Sequence, residues 1–325
     1  MLIYLEKNLQ ENERAKHIIS FYKNPIVLPI DNYKNIFDKN ISGNTEKSVI
    51  IASLNNALTQ VPENYGFPGE GFFFKNSLNC VYDCRYCYLK GALKNNNMQV
   101  FFVNYEDMQN QIKKTLEQFK KSQYPIWFYS SDYSDNLATD LISEFSDFFI
   151  PFFETLPNAR MEIRTKSTNI SHLLKHKNIT HTEIAFSLSP QEIIKNYEQK
   201  TPLLDMRIEA INTLIKNNWK VGLRFLPLLE VKNYREIYTD FLKYISKKID
   251  FSKINSIFLG GLMYTYEDYN KILQKEKTLD VLYKLEKNED GFYRENREVR
   301  TWFYDIFSEY IGDKKLSICL DKKKN

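Results

Sequence analysis

The sequence predicts an α/β protein: a partial parallel β/α barrel of the six-unit type with a small N-terminal α/β appendage. Three observations predict it. From Phe72 onward, short apolar runs of strand length alternate with longer stretches whose apolar residues recur every three or four positions. That alternation implies parallel strands joined by right-handed helical crossovers. The chain, at 325 residues, is long enough for a barrel core plus an appendage, and it shows no repeat of solenoid period.

Residues 1–70 form the appendage in this reading. LIYLEK and SVIIAS are strand-like, and charged helical sequence from Glu11 to about Tyr22 lies between them. VPENYGFPGEG has the Pro and Gly density of a boundary. Residues 71–325 then carry strands at FFF (72–74), IWFYS (126–130), MEIRT (161–165), EIAFSL (183–188), VGLRFL (221–226) and SIFLG (256–260). Helices are expected over 105–121, 136–155, 169–176, 204–218 and 233–249. Leu204, Ile208, Ile211, Leu214 and Ile215, for example, lie on one helical face. A helix over 297–311 and a strand LSICL close the chain, and the KKK at 322–324 reads as a solvated tail.

Composition excludes more than it assigns. Hydrophobic residues make up 43% and charged residues 26%, as in ordinary globular domains. A net charge of +4 is no nucleic-acid signature by itself. The ten glycines argue against a Gly-rich phosphate loop. The richest apolar stretch, DFFIPFF, is too short to span a bilayer, and the N-terminus has no apolar run of leader length. A cytoplasmic protein without membrane contact is expected, and its thiols stay reduced.

Against that background, NCVYDCRYCYLKG (79–91) places Cys80, Cys84 and Cys87 within eight residues, three of the four cysteines in the chain. Three thiolates spaced C-x3-C-x2-C suit three corners of a cubane iron–sulfur cluster and leave the fourth iron open. A zinc site completed by a distant His or Cys is the competing reading, but only one C-x2-C pair is present. His172 and His176 stand at i, i+4, a spacing that binds metal, yet without a following Glu they read as polar positions on one helix face.

The loop, with an aromatic residue before its last cysteine and a strand before its first, resembles that of the radical S-adenosylmethionine enzymes. The wider text resembles the spore photoproduct lyase family. VYDCRYCYLKG, VFFVNYEDM, EIRTKS, FSLSP…IIKNYEQKTPLLDMRIEAI and LRFLP follow in that family's order, and IYLEK and IDNYKNIF match its opening. The resemblance implies a [4Fe-4S] cluster on Cys80, Cys84 and Cys87, with S-adenosyl-L-methionine chelated to the open iron. Reductive cleavage of that cofactor would yield a radical that abstracts hydrogen from a thymine lesion in DNA. It implies that Tyr86, Tyr88, Ser134, Asp135, Lys166, Ser187 and Leu226 line the cofactor, and that a flavodoxin- or ferredoxin-type donor supplies the electron.

One position departs from the family. Where its members carry a hydrogen-donating cysteine, this chain has Asp132. A carboxylate offers no abstractable hydrogen, which leaves Tyr133 and Tyr129, with Cys319, to quench the radical. The departure opens a second reading, the same radical chemistry on another nucleotide or small metabolite. A third is an iron–sulfur electron carrier or sensor closed by Cys319. Tyr293, Arg294, Arg297 and Arg300 are the basic and aromatic residues that a nucleic-acid mouth would use. Glu198, Thr201 and Arg207 lie in the family-like EQKTPLLDMR, although Arg207 and Glu209 read equally well as a solvated helix face.

Overall fold

The computed structural model describes residues 1–38, 48–62, 70–93, 98–312 and 316–318. Its strands are β1 (Leu2–Glu6), β2 (Ile26–Ile30), β3 (Ser48–Ala52), β4 (Leu58–Gln60), β5 (Gly71–Phe74), β6 (Ser77–Leu78), β7 (Asp83–Cys84), β8 (Gln99–Phe102), β9 (Ile126–Ser130), β10 (Ala159–Thr165), β11 (Thr182–Ser187), β12 (Glu198–Gln199), β13 (Lys220–Leu228), β14 (Ser256–Gly261), β15 (Glu286–Lys287), β16 (Tyr293–Arg294) and β17 (Leu316–Ile318). The helices are α1 (Glu13–Ser20), α2 (Lys34–Phe37), α3 (Leu89–Ala92), α4 (Tyr105–Gln118), α5 (Asp140–Ser143), α6 (Phe145–Glu154), α7 (Gln191–Tyr197), α8 (Leu204–Lys216), α9 (Tyr234–Ser246), α10 (Tyr266–Lys275) and α11 (Arg297–Ile311).

The six strands expected from the apolar runs are neighbours, in chain order, in an eight-stranded sheet ordered β17-β14-β13-β11-β10-β9-β5-β4. All its pairings are parallel except β4 with β5. Among the described residues β17 and β4 do not pair, so the sheet is an open, partial barrel. A second sheet, ordered β2-β1-β3-β8-β6, is parallel but for β6. It takes β6 and β8 from beyond residue 70, while β4, from before it, joins the barrel.

Along each barrel strand alternate residues face opposite ways. Met161, Ile163, Ile184, Phe186, Leu223 and Phe225 are fully buried among the apolar core residues. The apolar run DFFIPFF lies in α6, where Phe145, Phe149 and Phe153 pack edge-on or tilted against Phe74, Tyr105 and Phe128. Such aromatic pairs add about 0.5–1.5 kcal/mol each beyond their buried area. No described helix is long and apolar enough to cross a membrane.

Three local expectations change. The helix over 169–176 is a single 3-10 turn, Leu173–Lys175, and His172 and His176 instead bracket one carboxylate, Asp147, at 2.8 and 3.1 Å. The helix over 136–155 is broken at Glu144, whose φ of 50° cannot continue a right-handed helix. Short elements without a periodic signature, including β2, β8 and α7, were not expected, and neither was α10. Cys319 lies outside the described residues.

Candidate active site

The cysteine loop leaves the barrel after β5 and folds over the sheet's carboxyl edge, where parallel barrels gather their functional side chains. Backbone pairing fixes it first: β7 runs antiparallel to β12, with Cys84 opposite Glu198, and the Arg85 N–H donates to the Tyr197 carbonyl at 2.8 Å. The turn Cys84–Cys87 closes with a 3.1 Å bond from the Cys87 N–H to the Cys84 carbonyl.

Side chains then clamp the loop from two sides. The Tyr86 hydroxyl donates to Glu198 Oε1 at 2.5 Å, and Glu198 Oε2 accepts from the Arg207 guanidinium at 2.6 Å. Arg207 also reaches the carbonyls of Pro202 and Ser187 and the Thr201 hydroxyl, at 3.0, 2.9 and 2.7 Å. Both side chains of this ion pair are 0% exposed, so Arg207 is no solvated helix face; Glu209, two residues on, is. On the other side Glu276 receives Arg85 at 3.1 Å and Lys90 at 2.7 Å, and the Tyr264 hydroxyl donates to the Tyr86 carbonyl at 2.5 Å. Gly91 lets α3 approach α10: a Cβ there would lie 2.7 Å from the Asp268 carbonyl oxygen.

Burial pushes all three thiols above the ordinary cysteine value, Cys84 to about 12. Such sulfurs ionise only beside a cation. Burial also disfavours the Lys166 ammonium, but the Cys84 sulfur and the Glu198 carboxylate outweigh it and hold Lys166 above the ordinary lysine value. The Lys166 ammonium lies 5.8 Å from the Tyr86 ring centre. The described His, Cys, Asp and Glu side chains form no group of three that would share a single metal ion. Three separate sulfurs and an open corner are the donor set of a cubane, in which each sulfur meets its own iron.

The other expected residues divide. Ser134 is buried, its hydroxyl 2.5 Å from that of Ser77. Asp135 accepts from Thr165 and the Ala138 N–H on one oxygen, at 2.7 and 3.1 Å, and from the Lys166 N–H on the other, at 2.7 Å. Both its oxygens therefore brace strand ends. Ser187 is buried at the end of β11, and Leu226 is half-buried. Tyr88 donates its hydroxyl to the Asp132 carbonyl. The Tyr133 ring lies under the Lys75 ammonium, 4.3 Å away. Tyr129 points elsewhere: its ring covers Gly71, at the amino end of β5, and stacks on Trp127.

The barrel interior holds charges that the sequence reading did not single out. Arg224 on β13 bridges Glu162 on β10 and Glu183 on β11 at 2.5 and 2.7 Å. Arg164 joins Glu162 at 3.0 Å and Asp132 at 3.7 Å. For Glu162, Arg164, Glu183 and Arg224 the signal was available: each is a charged residue inside an apolar strand run. Burial pushes Asp132 up to about 7 against the pull of Arg164, and its Oδ2 has no hydrogen-bond partner among the described residues. Glu295, likewise buried and raised to about 7, accepts from the Leu262 N–H at 3.1 Å, and its Oε2 has no partner among the described residues.

An open parallel barrel with a C-x3-C-x2-C loop at its carboxyl mouth is the radical S-adenosylmethionine fold. The family model for spore photoproduct lyase matches residues 44–295, and the chain belongs to that family. It is 27% identical over 195 residues to the spore photoproduct lyase of Clostridium acetobutylicum and 26% identical over 185 residues to that of Bacillus subtilis. Those alignments cover 60% and 56% of this chain and 57% and 52% of the relatives, so the chain spans little more than half the length of the curated relatives it matches. Among solved structures, a doubly substituted spore photoproduct lyase with bound AdoMet and dinucleoside spore photoproduct superposes with a TM-score of 0.84 at 18% identity, covering 98% of this chain and 97% of that one. A cysteine-to-alanine mutant of spore photoproduct lyase with the dinucleoside superposes at 0.83, also at 18% identity and with the same coverage.

Proposed function

We propose that this protein is a radical S-adenosylmethionine enzyme acting on a nucleic-acid base, with a thymine–thymine lesion in DNA as its substrate. The observation that carries the reading is the three-thiol loop, held over the barrel mouth by the buried chain Tyr86–Glu198–Arg207 with Lys166 alongside. In this reading Cys80, Cys84 and Cys87 hold three irons of a [4Fe-4S] cluster. When bound, the cluster and S-adenosyl-L-methionine supply a carbon-centred radical that abstracts hydrogen from the substrate. Lys166 meets the cofactor carboxylate in a charge-assisted contact. Ser134 and Ser187 offer hydroxyls, Tyr86 and Tyr88 flank the cofactor, and Leu226 gives its adenine an apolar wall. Asp135 acts through Lys166, whose backbone it fixes. The electron comes from a flavodoxin- or ferredoxin-type donor in a reducing, cytoplasmic setting.

Asp132 cannot return a hydrogen atom, so a phenol or Cys319 does. Tyr88 is bonded to the Asp132 backbone and Tyr133 is next in sequence, whereas Tyr129 faces the barrel floor. The same Asp132 favours a second reading, in which the substrate is another nucleotide or a small metabolite.

Anaerobic reconstitution, reduction with dithionite and addition of S-adenosyl-L-methionine test the class through 5′-deoxyadenosine release. Adding dinucleoside spore photoproduct and looking for restored thymine tests the substrate. Release of 5′-deoxyadenosine without conversion of the lesion leaves the second reading, and absence of both overturns the first.

A further inference from the structure

The N-terminal sheet has a crevice that the barrel chemistry does not use. Strand β1 is followed by α1 and β2 on one side, and the chain then passes β1 to place β3 on the other. In open parallel sheets ligands bind where the strand order reverses in this way, outside the carboxyl ends of the strands. Here that point lies between β1 and β3, and a cleft of about 590 Å³ opens there. Its volume suits a nucleotide-sized group rather than a lone ion.

The lining is cationic once its internal pairs are set aside. Lys7 is paired with Asp31 at 2.7 Å. Glu6 is buried, and both its oxygens accept hydrogen bonds: one from the Tyr33 N–H at 2.9 Å, the other from the Ser53 N–H and hydroxyl at 2.9 and 2.8 Å. Lys34 and Lys75 remain, two cations against the one charge of Glu6, and among the described residues neither ammonium has a carboxylate partner within ion-pairing distance. Burial, and after it the Lys34 charge, holds Lys75 below the ordinary lysine value. Asn55 and Asn56 add amides to the rim. Lys75 also links the cleft to the barrel, since it directly follows β5 and lies over Tyr133, the neighbour of Asp132.

We propose that this cleft binds a phosphate group through Lys34 and Lys75, and that the phosphate belongs to the strand whose base enters the barrel. The inference rests on the nucleic-acid reading above and extends it to a contact beyond the lesion. A free nucleotide carries the same chemistry, and the test separates the two sources.

The test uses the full chain with its cluster reconstituted under anaerobic conditions. Binding of a single-stranded thymidine oligonucleotide is measured over a salt series for wild type, Lys34→Gln, Lys75→Gln and the exposed control Lys243→Gln. Melting curves confirm that each variant is folded. Loss of one phosphate contact lowers the slope of log affinity against log salt by about 0.7. That change is expected for either cleft variant and not for the control, while binding of a phosphate-free dinucleoside stays unchanged. Thymidine monophosphate and inorganic phosphate are titrated in parallel. If the oligonucleotide does not bind but these anions do, in a Lys34- and Lys75-dependent manner, the cleft is a free-anion site: the nucleic-acid reading and the assignment of the phosphate to the strand both fail, and only the phosphate site stands. If the oligonucleotide binds with an unchanged slope in both cleft variants, or if nothing anionic binds, the cleft proposal is overturned.

Discussion

Replacing Arg207 with methionine removes the guanidinium that neutralises Glu198 beneath the cysteine loop. The structure sets the scale of the effect. Glu198 and Arg207 are 0% exposed, and the guanidinium contacts two carbonyls and a hydroxyl besides the carboxylate. Breaking one partner out of such a pair leaves a buried charge uncompensated and costs about 3–5 kcal/mol, roughly 10²- to 10⁴-fold in the folding equilibrium. The double variant Arg207→Met/Glu198→Gln carries neither charge and should recover at least about 1 kcal/mol, the scale of coupling between contacting residues. Glu198 also reports its own rescue. Burial alone would raise its pKa, but Arg207 and then Lys166 hold it below the ordinary glutamate value. In the wild type it therefore contributes stability that is present at neutral pH and lost as pH falls through that depressed value. Without Arg207 the carboxylate protonates more readily, so the single variant should close part of its gap to wild type as pH drops below 7. Urea unfolding under anaerobic conditions measures the stability, and iron and sulfide per chain measure whether the loop still holds its cluster. A single variant within about 1 kcal/mol of wild type, with full iron, would refute the claim that this ion pair supports the loop.

Other expectations follow from the same geometry. Cys80→Ala, Cys84→Ala and Cys87→Ala should each lose iron and all 5′-deoxyadenosine release, measured by metal analysis and chromatography. Tyr88→Phe should still cleave the cofactor but form less restored product; unchanged product would shift the quenching role to Tyr133 or Cys319. Asp132 and Glu295 ionise near pH 7 in the folded protein, far above an unfolded carboxyl near pH 4. The folded state therefore holds the extra protons, and stability should fall as pH rises from about 4 to 7. Asp132→Asn and Glu295→Gln should flatten that slope in pH-dependent melting curves. Gly222→Ala would press a methyl group on Glu183, Arg224 and Ser256 in the barrel interior and should cost about 1–3 kcal/mol in urea unfolding.

The sequence by itself determined the barrel strands and the cysteine loop. Both signals are local: apolar runs of strand length report a buried sheet, and C-x3-C-x2-C brings three sulfurs together within eight residues. Only the tertiary structure decided what the charged residues do. Tyr86 and Glu198 lie 112 residues apart, and Arg224 and Glu162 lie 62 apart. An apolar strand run around Glu162 or Arg224 marks the position as buried, but nothing on a linear chain names the partner, and an isolated ion belongs in water. Folding closes the loops between them and supplies the opposite charge, and that pairing makes their burial tolerable. The same reason hid the N-terminal cleft: Lys34 and Lys75 face one space only after β1, β2 and β3 have been set side by side.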